Sequence, residues 1–304
     1  MSAPKWSAEG RGWPNAEASH FVDADNLTWH VQVMGSGPVV LLLHGTAAAT
    51  HSWRDLAPLL AANFTVVAPD LPGHGFTSAL RKATPTGVAA AVAALMATLR
   101  LSPTLTVGHS AGAAIALTMA EKNLARPAAV VSLGGALLPF PGLAGKLFPA
   151  MARMLFGNPL MPELCAMRAR IPGEIAAFMQ RSTGSRIDAR GIALYERLLR
   201  TSGHIGGALA LMAHWDLEPL ERALPGLELP VLLVHGEKDA TIPVSTSRTA
   251  AQRLPQATLR LLPGLGHLCH EETPADHAAI ILDFARICGI AHPGATPWIG
   301  NITG

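Results

Sequence analysis

Charge is scarce in this 304-residue chain: Asp, Glu, Lys and Arg make up 14% of it, and 23 basic against 21 acidic side chains leave a net charge of +2. Nucleic-acid binding depends on rows of Lys and Arg that neutralise phosphates, so no nucleic-acid partner is expected. Cysteine is limited to Cys165, Cys269 and Cys288, odd in number, far apart and without a C-x-x-C pair. That pattern argues against a disulfide framework or a zinc site and points to a reducing compartment, here read as the cytoplasm. No uncharged apolar run reaches the roughly 18 residues that cross a bilayer. The first residues also lack the basic start and apolar stretch of a simple secretory signal. What is abundant is apolar side chain, 49% of the residues, together with 29 Gly and 24 Pro. This is the composition of a compact globular protein, and the length suits one large α/β body with an insertion.

Short apolar runs at residues 21–22, 27–33, 39–43, 64–68, 105–107, 129–133, 231–234 and 258–262 alternate with helix-like segments. Continuous runs such as Val39-Val40-Leu41-Leu42-Leu43 read as strands buried on both faces of a mostly parallel sheet, while the two most polar runs, the first two, suggest an antiparallel edge hairpin. Ser52 with Asp55 resembles a capping box opening a helix over 53–61, and Thr273-Pro274 with Asp276 opens another running to about Ile287. Between residues 138 and 225 the strand rhythm stops. The segment reads as a helical cap inserted after the sixth core strand, and it holds six of the ten methionines, which are expected to be core more often than ligand lining. This divides the chain into an extension (1–19), a core (20–137 and 226–290), the cap (138–225) and a tail (291–304). Trp6 and Trp13 in the extension and Trp298 in the tail suggest that both fold back on the body. A peripheral membrane contact remains open, although neither segment carries an amphipathic basic helix.

Val107-Gly108-His109-Ser110-Ala111-Gly112 places a G-x-S-x-G sequence between a strand and a helix pattern over 113–121. A serine hydroxyl is a weak nucleophile, and a sharp strand-to-helix turn lifts it clear of the sheet within reach of a base. The expected partners follow in order. Asp239 falls in the loop after the run Val231-Leu232-Leu233-Val234, and His267 in a glycine-flanked loop after the last strand. Ser110 is therefore the candidate nucleophile, His267 the base and acid, and Asp239 the carboxylate that orients the imidazole. Glu237 is a neighbouring acid; His270 and His277 are expected at the surface of the last helix and its approach. Leu133-Gly134-Gly135 carries no acid, which strengthens Asp239. The backbone N–H groups of Ala111 and of Thr46, in the His44-Gly45-Thr46-Ala47 loop, are the expected oxyanion donors. The Pro/Gly turn Asp70-Leu71-Pro72-Gly73-His74-Gly75 shapes the same rim and is assigned no chemistry. No cofactor or metal is expected.

Over residues 20–290 these motifs resemble the α/β-hydrolase superfamily, which implies an eight-stranded, mostly parallel sheet with helices on both faces. Serine at position 110 disfavours the dehalogenase and epoxide-hydrolase branches, which place Asp there. Ala113 departs from the commoner pattern, where Gly is frequent. More narrowly, Trp13-Pro14-Asn15, residues 27–32, Leu43-His44-Gly45-Thr46, Thr50-His51-Ser52-Trp53-Arg54 and residues 68–77 resemble the magnesium-chelatase accessory proteins of bacteriochlorophyll synthesis in phototrophic bacteria. That resemblance implies a role near magnesium insertion into protoporphyrin IX. Three readings follow: a serine hydrolase of a small apolar ester, tetrapyrrole-linked or not; a non-catalytic tetrapyrrole binder in contact with the chelatase; or a generic esterase or C–C bond hydrolase. A slightly basic cap implies that substrate carboxylates would meet Arg side chains.

Overall fold

All eight apolar runs form strands: β1 Ser19–Ala24, β2 Leu27–Gly35, β3 Val39–Leu43, β4 Thr65–Pro69, β5 Leu105–His109, β6 Ala129–Leu133, β7 Val231–Gly236 and β8 Ala257–Leu262. They make one sheet in the order β1-β2-β4-β3-β5-β6-β7-β8. The first hairpin is antiparallel and β2 also runs antiparallel to β4, whereas every other pair is parallel. The hairpin turns on Asp25 and Asn26, both at positive φ (51° and 59°), the residue types that tolerate such a turn best. The computed structural model describes residues 3–139 and 160–290, with positions 151, 154, 157 and 158 between them. Part of the insertion and the tail with Trp298 lie outside the described residues.

Continuous apolar strands are explained by two covered faces. Along β3, Leu41 and Leu43 pack with the helices Pro85–Thr98 and Ala111–Glu121, while Val40 and Leu42 pack with Leu56–Ala61 and Pro274–Ile287. In β7 the same alternation sends Val231 and Leu233 to the first layer and Leu232 and Val234 to the second. Because side chains alternate at a period of two, a strand sandwiched between helices has no solvent face and needs no polar residue. At the far edge, β8 exposes Thr258 and Arg260, and a charged side chain there discourages pairing with another chain.

Helix starts follow local chemistry, with one correction. Thr84 caps the helix Pro85–Thr98 by accepting from the Gly87 N–H at 3.1 Å, with Pro85 in the first turn. The proposed box of Ser52 with Asp55 does not form. Residues Thr50–Trp53 make a 3-10 turn, the α-helix begins at Leu56, and Asp55 makes no capping bond. Ser52 Oγ instead donates to Glu271 Oε1 at 2.7 Å. A tertiary carboxylate outcompetes the local cap. The helix Pro274–Ile287 starts where expected, with the Thr273 carbonyl accepting the His277 N–H at 3.1 Å, although the Thr273 side chain makes no capping bond.

The extension folds back as its tryptophans suggest. Trp13 is buried and donates its indole N–H to Thr50 Oγ1 at 3.0 Å, and Trp6 stacks edge-on against Phe21 and Phe76. Between β6 and β7, the described residues form the helices Met161–Arg168, Glu174–Thr183, Ala189–Leu199, Ser202–Ala213 and Glu218–Ala223, with no strand among them. Among the described residues no helix is long and apolar enough to cross a membrane.

Candidate active site

Ser110 follows β5 and precedes the helix Ala111–Glu121, with φ 50° and ψ −115°. A left-handed φ at a non-glycine residue is held only where the surroundings leave no alternative, and here they are two glycines. A Cβ on Gly108 would overlap the backbone of Ala113, and one on Gly112 would overlap the carbonyl of Leu43. Strand and helix therefore approach more closely than any other residue allows. Ala113 is fully buried at that junction, so alanine fits where glycine is common. The turn is tied to β6 by the Ser110 N–H, which donates to Leu133 O at 3.0 Å.

Asp239 and His267 meet as expected. His267 Nδ1 lies 2.7 Å from Asp239 Oδ2, and the Asp239 side chain is fully buried. Oδ1 of the same carboxylate accepts the N–H groups of Thr241 and Ile242, both at 2.8 Å. His235, fully buried, adds a fourth contact, its Nε2 lying 3.3 Å from Oδ2. Burial alone would raise the Asp239 carboxyl, but hydrogen bonds from His235 and His267 outweigh it and hold the group well below the usual carboxylate range. The neighbouring Glu237 is exposed. A Cβ on Gly134 would stand 3.2 Å from His267 Nδ1 and 3.3 Å from Asp239 Oδ2, so the empty position beside β6 faces the same pair.

Thr46, Ala111, Ser110 and His267 line one cavity of about 260 Å³. The loop carrying Thr46 comes close to the serine because residue 45 is glycine: a Cβ there would lie 3.0 Å from Ser110 Cβ and 2.8 Å from His109 Nδ1. The far wall comes from the inserted helices and the residues after them, chiefly Phe178, Met179, Tyr195, Leu199, Met212 and Trp215. No Lys, Arg, Asp or Glu lines the cavity among the described residues. Among the described residues the expected meeting of substrate carboxylates with Arg is not found, since none of the described basic side chains of the insertion lines this chamber. Its methionines divide: Met179, part of a buried apolar cluster, and Met212 line the cavity, while Met151, Met154 and Met167 are exposed.

Several participants were not legible in the sequence. The carbonyl of Thr183, last residue of an inserted helix, accepts both the His267 N–H (2.8 Å) and the Ala240 N–H (3.3 Å), gripping the two loops that carry His267 and Asp239. His270 and His277, expected at the surface, are both buried. His270 Nε2 lies 2.9 Å from Ser52 Oγ, far away in the chain, whereas His277 Nδ1 bonds the Thr273 carbonyl within its own helix start at 2.9 Å. Glu271 is buried against Arg54, Ser52 and Tyr195, so a full ion pair joins the first helical turn, the His267 loop and an inserted helix. Asp70, given no chemistry above, is a buried hub: it accepts the Thr50 and Phe76 N–H groups at 2.7 and 2.9 Å, and His30 Nδ1 lies 2.8 Å away. Burial would raise its carboxyl, but His30 outweighs that and keeps it well below the usual range.

A hydroxyl on a strained turn and an imidazole facing one apolar chamber, with a buried carboxylate behind the imidazole, are the parts of acyl-transfer chemistry. The chain belongs to the α/β-hydrolase family, whose model matches residues 38–274. Among curated relatives it is 41% identical over 281 residues to the magnesium-chelatase 30 kDa subunit of Rhodobacter capsulatus, covering 90% of this chain and 96% of that one. It is also 29% identical over 260 residues to the pimeloyl-[acyl-carrier protein] methyl ester esterase of Aromatoleum aromaticum, covering 82% and 98%. The solved structure of the epoxide hydrolase CorEH superposes with a TM-score of 0.76 at 24% identity, covering 88% of this chain and 98% of that one, a likeness of fold alone.

Proposed function

We propose that this protein is a cytoplasmic serine hydrolase of a neutral ester or related acyl bond on an apolar compound, acting near magnesium insertion in bacteriochlorophyll synthesis. The observation that carries the reading is the shared cavity: Ser110 and His267 open onto it together, and His267 Nδ1 is held 2.7 Å from a buried carboxylate. We take residues 138–225 as a cap inserted between two stretches of core, 20–137 and 226–290.

In this reading Ser110 Oγ attacks the acyl carbon while its proton passes to His267 Nε2, and Asp239 stabilises the imidazolium that results. The N–H groups of Thr46 and Ala111 receive the negative charge on the carbonyl oxygen. The tetrahedral intermediate then collapses, the imidazolium gives its proton to the leaving alkoxide, and an acyl-serine remains. Water repeats the sequence, with His267 taking its proton and returning it to Ser110, and a free carboxylate leaves. The uncharged lining favours a neutral ester over a carboxylate, since a buried anion without a partner is costly to hold. At about 260 Å³ the described chamber is smaller than the roughly 300–1,000 Å³ of most drug-sized ligand sites, which favours a small group over a whole tetrapyrrole inside it. A tetrapyrrole substrate would present an ester arm to the chamber and keep its ring outside.

The placement in pigment synthesis is supported by the 41% identical relative named as a magnesium-chelatase subunit. The same name favours a second reading, a chelatase accessory protein that binds without catalysing. A fluorophosphonate probe separates the two. Ser110 should label covalently in the folded wild type and not in Ser110→Ala, and a deletion strain carrying Ser110→Ala should accumulate the same tetrapyrrole intermediate as the deletion itself. Restoration of pigment by Ser110→Ala at normal protein level would leave the accessory reading standing.

A further inference from the structure

His204 belongs to the inserted helix Ser202–Ala213 and is fully buried, yet both of its ring nitrogens are engaged. The Gly75 N–H lies 3.0 Å from Nδ1, and Nε2 lies 3.1 Å from the Ala47 carbonyl oxygen. A peptide N–H can only donate and a carbonyl can only accept, so Nδ1 is the acceptor and Nε2 carries the proton. The ring is neutral at physiological pH, burial lowering its pKa to about 4 against a smaller upward pull from the Ala47 bond.

The partner of that Nε2–H matters because of what a trans peptide does. Its C=O and N–H point in opposite directions, and the described chain has no cis bond. With the Ala47 C=O drawn to His204, the N–H of Ala48 across the same peptide points the other way, and it donates to the Gly45 carbonyl at 3.2 Å. That carbonyl also receives His44 Nδ1–H at 2.7 Å. With the Gly45 C=O fastened on one side, the Thr46 N–H across its peptide is turned to the opposite side. Ala47 itself sits at φ 62°, a left-handed conformation that is strained for a non-glycine residue and persists only when held from outside.

We propose that His204 is a positioning residue for the oxyanion loop, aiming the Thr46 N–H at the reacting carbonyl oxygen through the Ala47–Ala48 and Gly45–Thr46 peptides. The inference deepens the serine-hydrolase reading and rests on it. The helix is well placed to do this. Gly207, one turn on, seats against Gly73 so closely that a Cβ would overlap the Gly73 carbonyl, and beyond it Met212 and Trp215 line the cavity. One helix thus touches the substrate chamber at one end and holds the oxyanion loop at the other.

The test uses two replacements that each keep half of the imidazole. Gln at 204 can place an N–H where Nε2 stands and keep the Ala47 bond. Asn can keep an acceptor where Nδ1 stands but cannot reach Ala47. In the full-length protein, His204→Asn should slow fluorophosphonate labelling and lower kcat for p-nitrophenyl butyrate by about 10–100-fold with KM little changed, a misaimed donor costing somewhat less than a removed one. His204→Gln should stay within about threefold of wild type. Equal rates for a folded Asn variant and wild type would overturn the proposal, as would losses in Asn and Gln that match each other and track the thermal midpoint. Should the Asn variant not fold, a folded Gln variant slowed tenfold or more overturns it alone. A wild type that fails to label would sink the hydrolase reading and this inference with it, whereas a labelling wild type with an unaffected Asn variant sinks only the inference.

Discussion

Replacing Asp239 with Asn tests the central pair at nearly constant shape. The native carboxylate accepts the Thr241 and Ile242 N–H groups at one oxygen and faces His267 Nδ1 and His235 Nε2 at the other. An amide has one accepting oxygen. It keeps that oxygen toward the two peptide N–H groups, since turning round would set its NH₂ against two donors. Its NH₂ therefore takes the place of Oδ2 and donates to His267 Nδ1, so the neutral imidazole must carry its proton on Nε2. That is the nitrogen meant to receive the Ser110 proton. A base locked in the wrong tautomer loses about 10⁴ in kcat, or about 5.4 kcal/mol at 1.36 per decade. His235 keeps its bond to the Ile242 carbonyl, so the fold should lose only one charge-assisted bond, about 1.5–3 kcal/mol. The assay is p-nitrophenyl butyrate hydrolysis beside urea denaturation. A folded Asp239→Asn protein that retains a tenth or more of wild-type kcat would refute the assignment of His267 and Asp239.

Three further outcomes are expected. Gly45→Ala puts a methyl group against His109 and Ser110 and should push the Thr46 loop away, slowing fluorophosphonate labelling by about 10²–10³; an unchanged rate removes Thr46 from the oxyanion site. Arg54→Ala leaves Glu271 buried and unpaired and should cost about 3–5 kcal/mol, whereas Tyr195→Phe leaves Ser52 and Arg54 on that carboxylate and should cost about 1.5–3 kcal/mol; the reverse order in urea denaturation contradicts the pairing. Asp70 has a folded pKa below its unfolded one, so its stabilisation is complete above about pH 4 and drains away as pH falls further. The stability advantage of wild type over Asp70→Asn should accordingly be larger at pH 7 than at pH 3, and a gap independent of pH would show that the carboxylate is not held ionised by its neighbours.

The strands were legible because burial on both faces writes a run of Val and Leu directly into the chain, and β3 and β7 are the clearest cases. Ser110, Asp239 and His267 were legible because each sits at the end of such a run beside glycines that the backbone needs. Long-range polar pairing left no such mark. Ser52 and Asp55 satisfy the spacing of a capping box, but the hydroxyl is claimed by Glu271, more than two hundred residues away in the chain. His270 reads as a polar residue in an acidic stretch, and its burial depends on the Trp53 and His109 rings that lie against it. His204 lies in a helix whose sequence gives no sign that its imidazole ends on the Ala47 carbonyl. Such pairings require knowing which loops the tertiary fold brings together, and local spacing does not carry that.

Where the strain lies bears on catalysis against mere binding. Ser110 and Ala47 hold left-handed backbone at φ 50° and 62°, neither being glycine, and both line the one cavity that also holds His267. Each such residue costs of order 1–3 kcal/mol, a substantial part of a typical domain stability of about 5–15 kcal/mol. Around them, a carboxylate with four contacts, a neutral buried histidine and the carbonyl of Thr183 fix atoms whose positions an apolar pocket would not need. A binder of uncharged ligands gains affinity from complementary apolar walls, and Phe178, Met212 and Trp215 supply those without Ser110 or Ala47 being strained at all. A strained hydroxyl beside an oriented base is useful only where a bond is made and broken, because an interaction that tightens in the transition state alone returns the cost of holding it ready. On that ground the arrangement favours turnover over storage, and the accessory reading must explain why a binding protein would keep two strained residues facing its ligand.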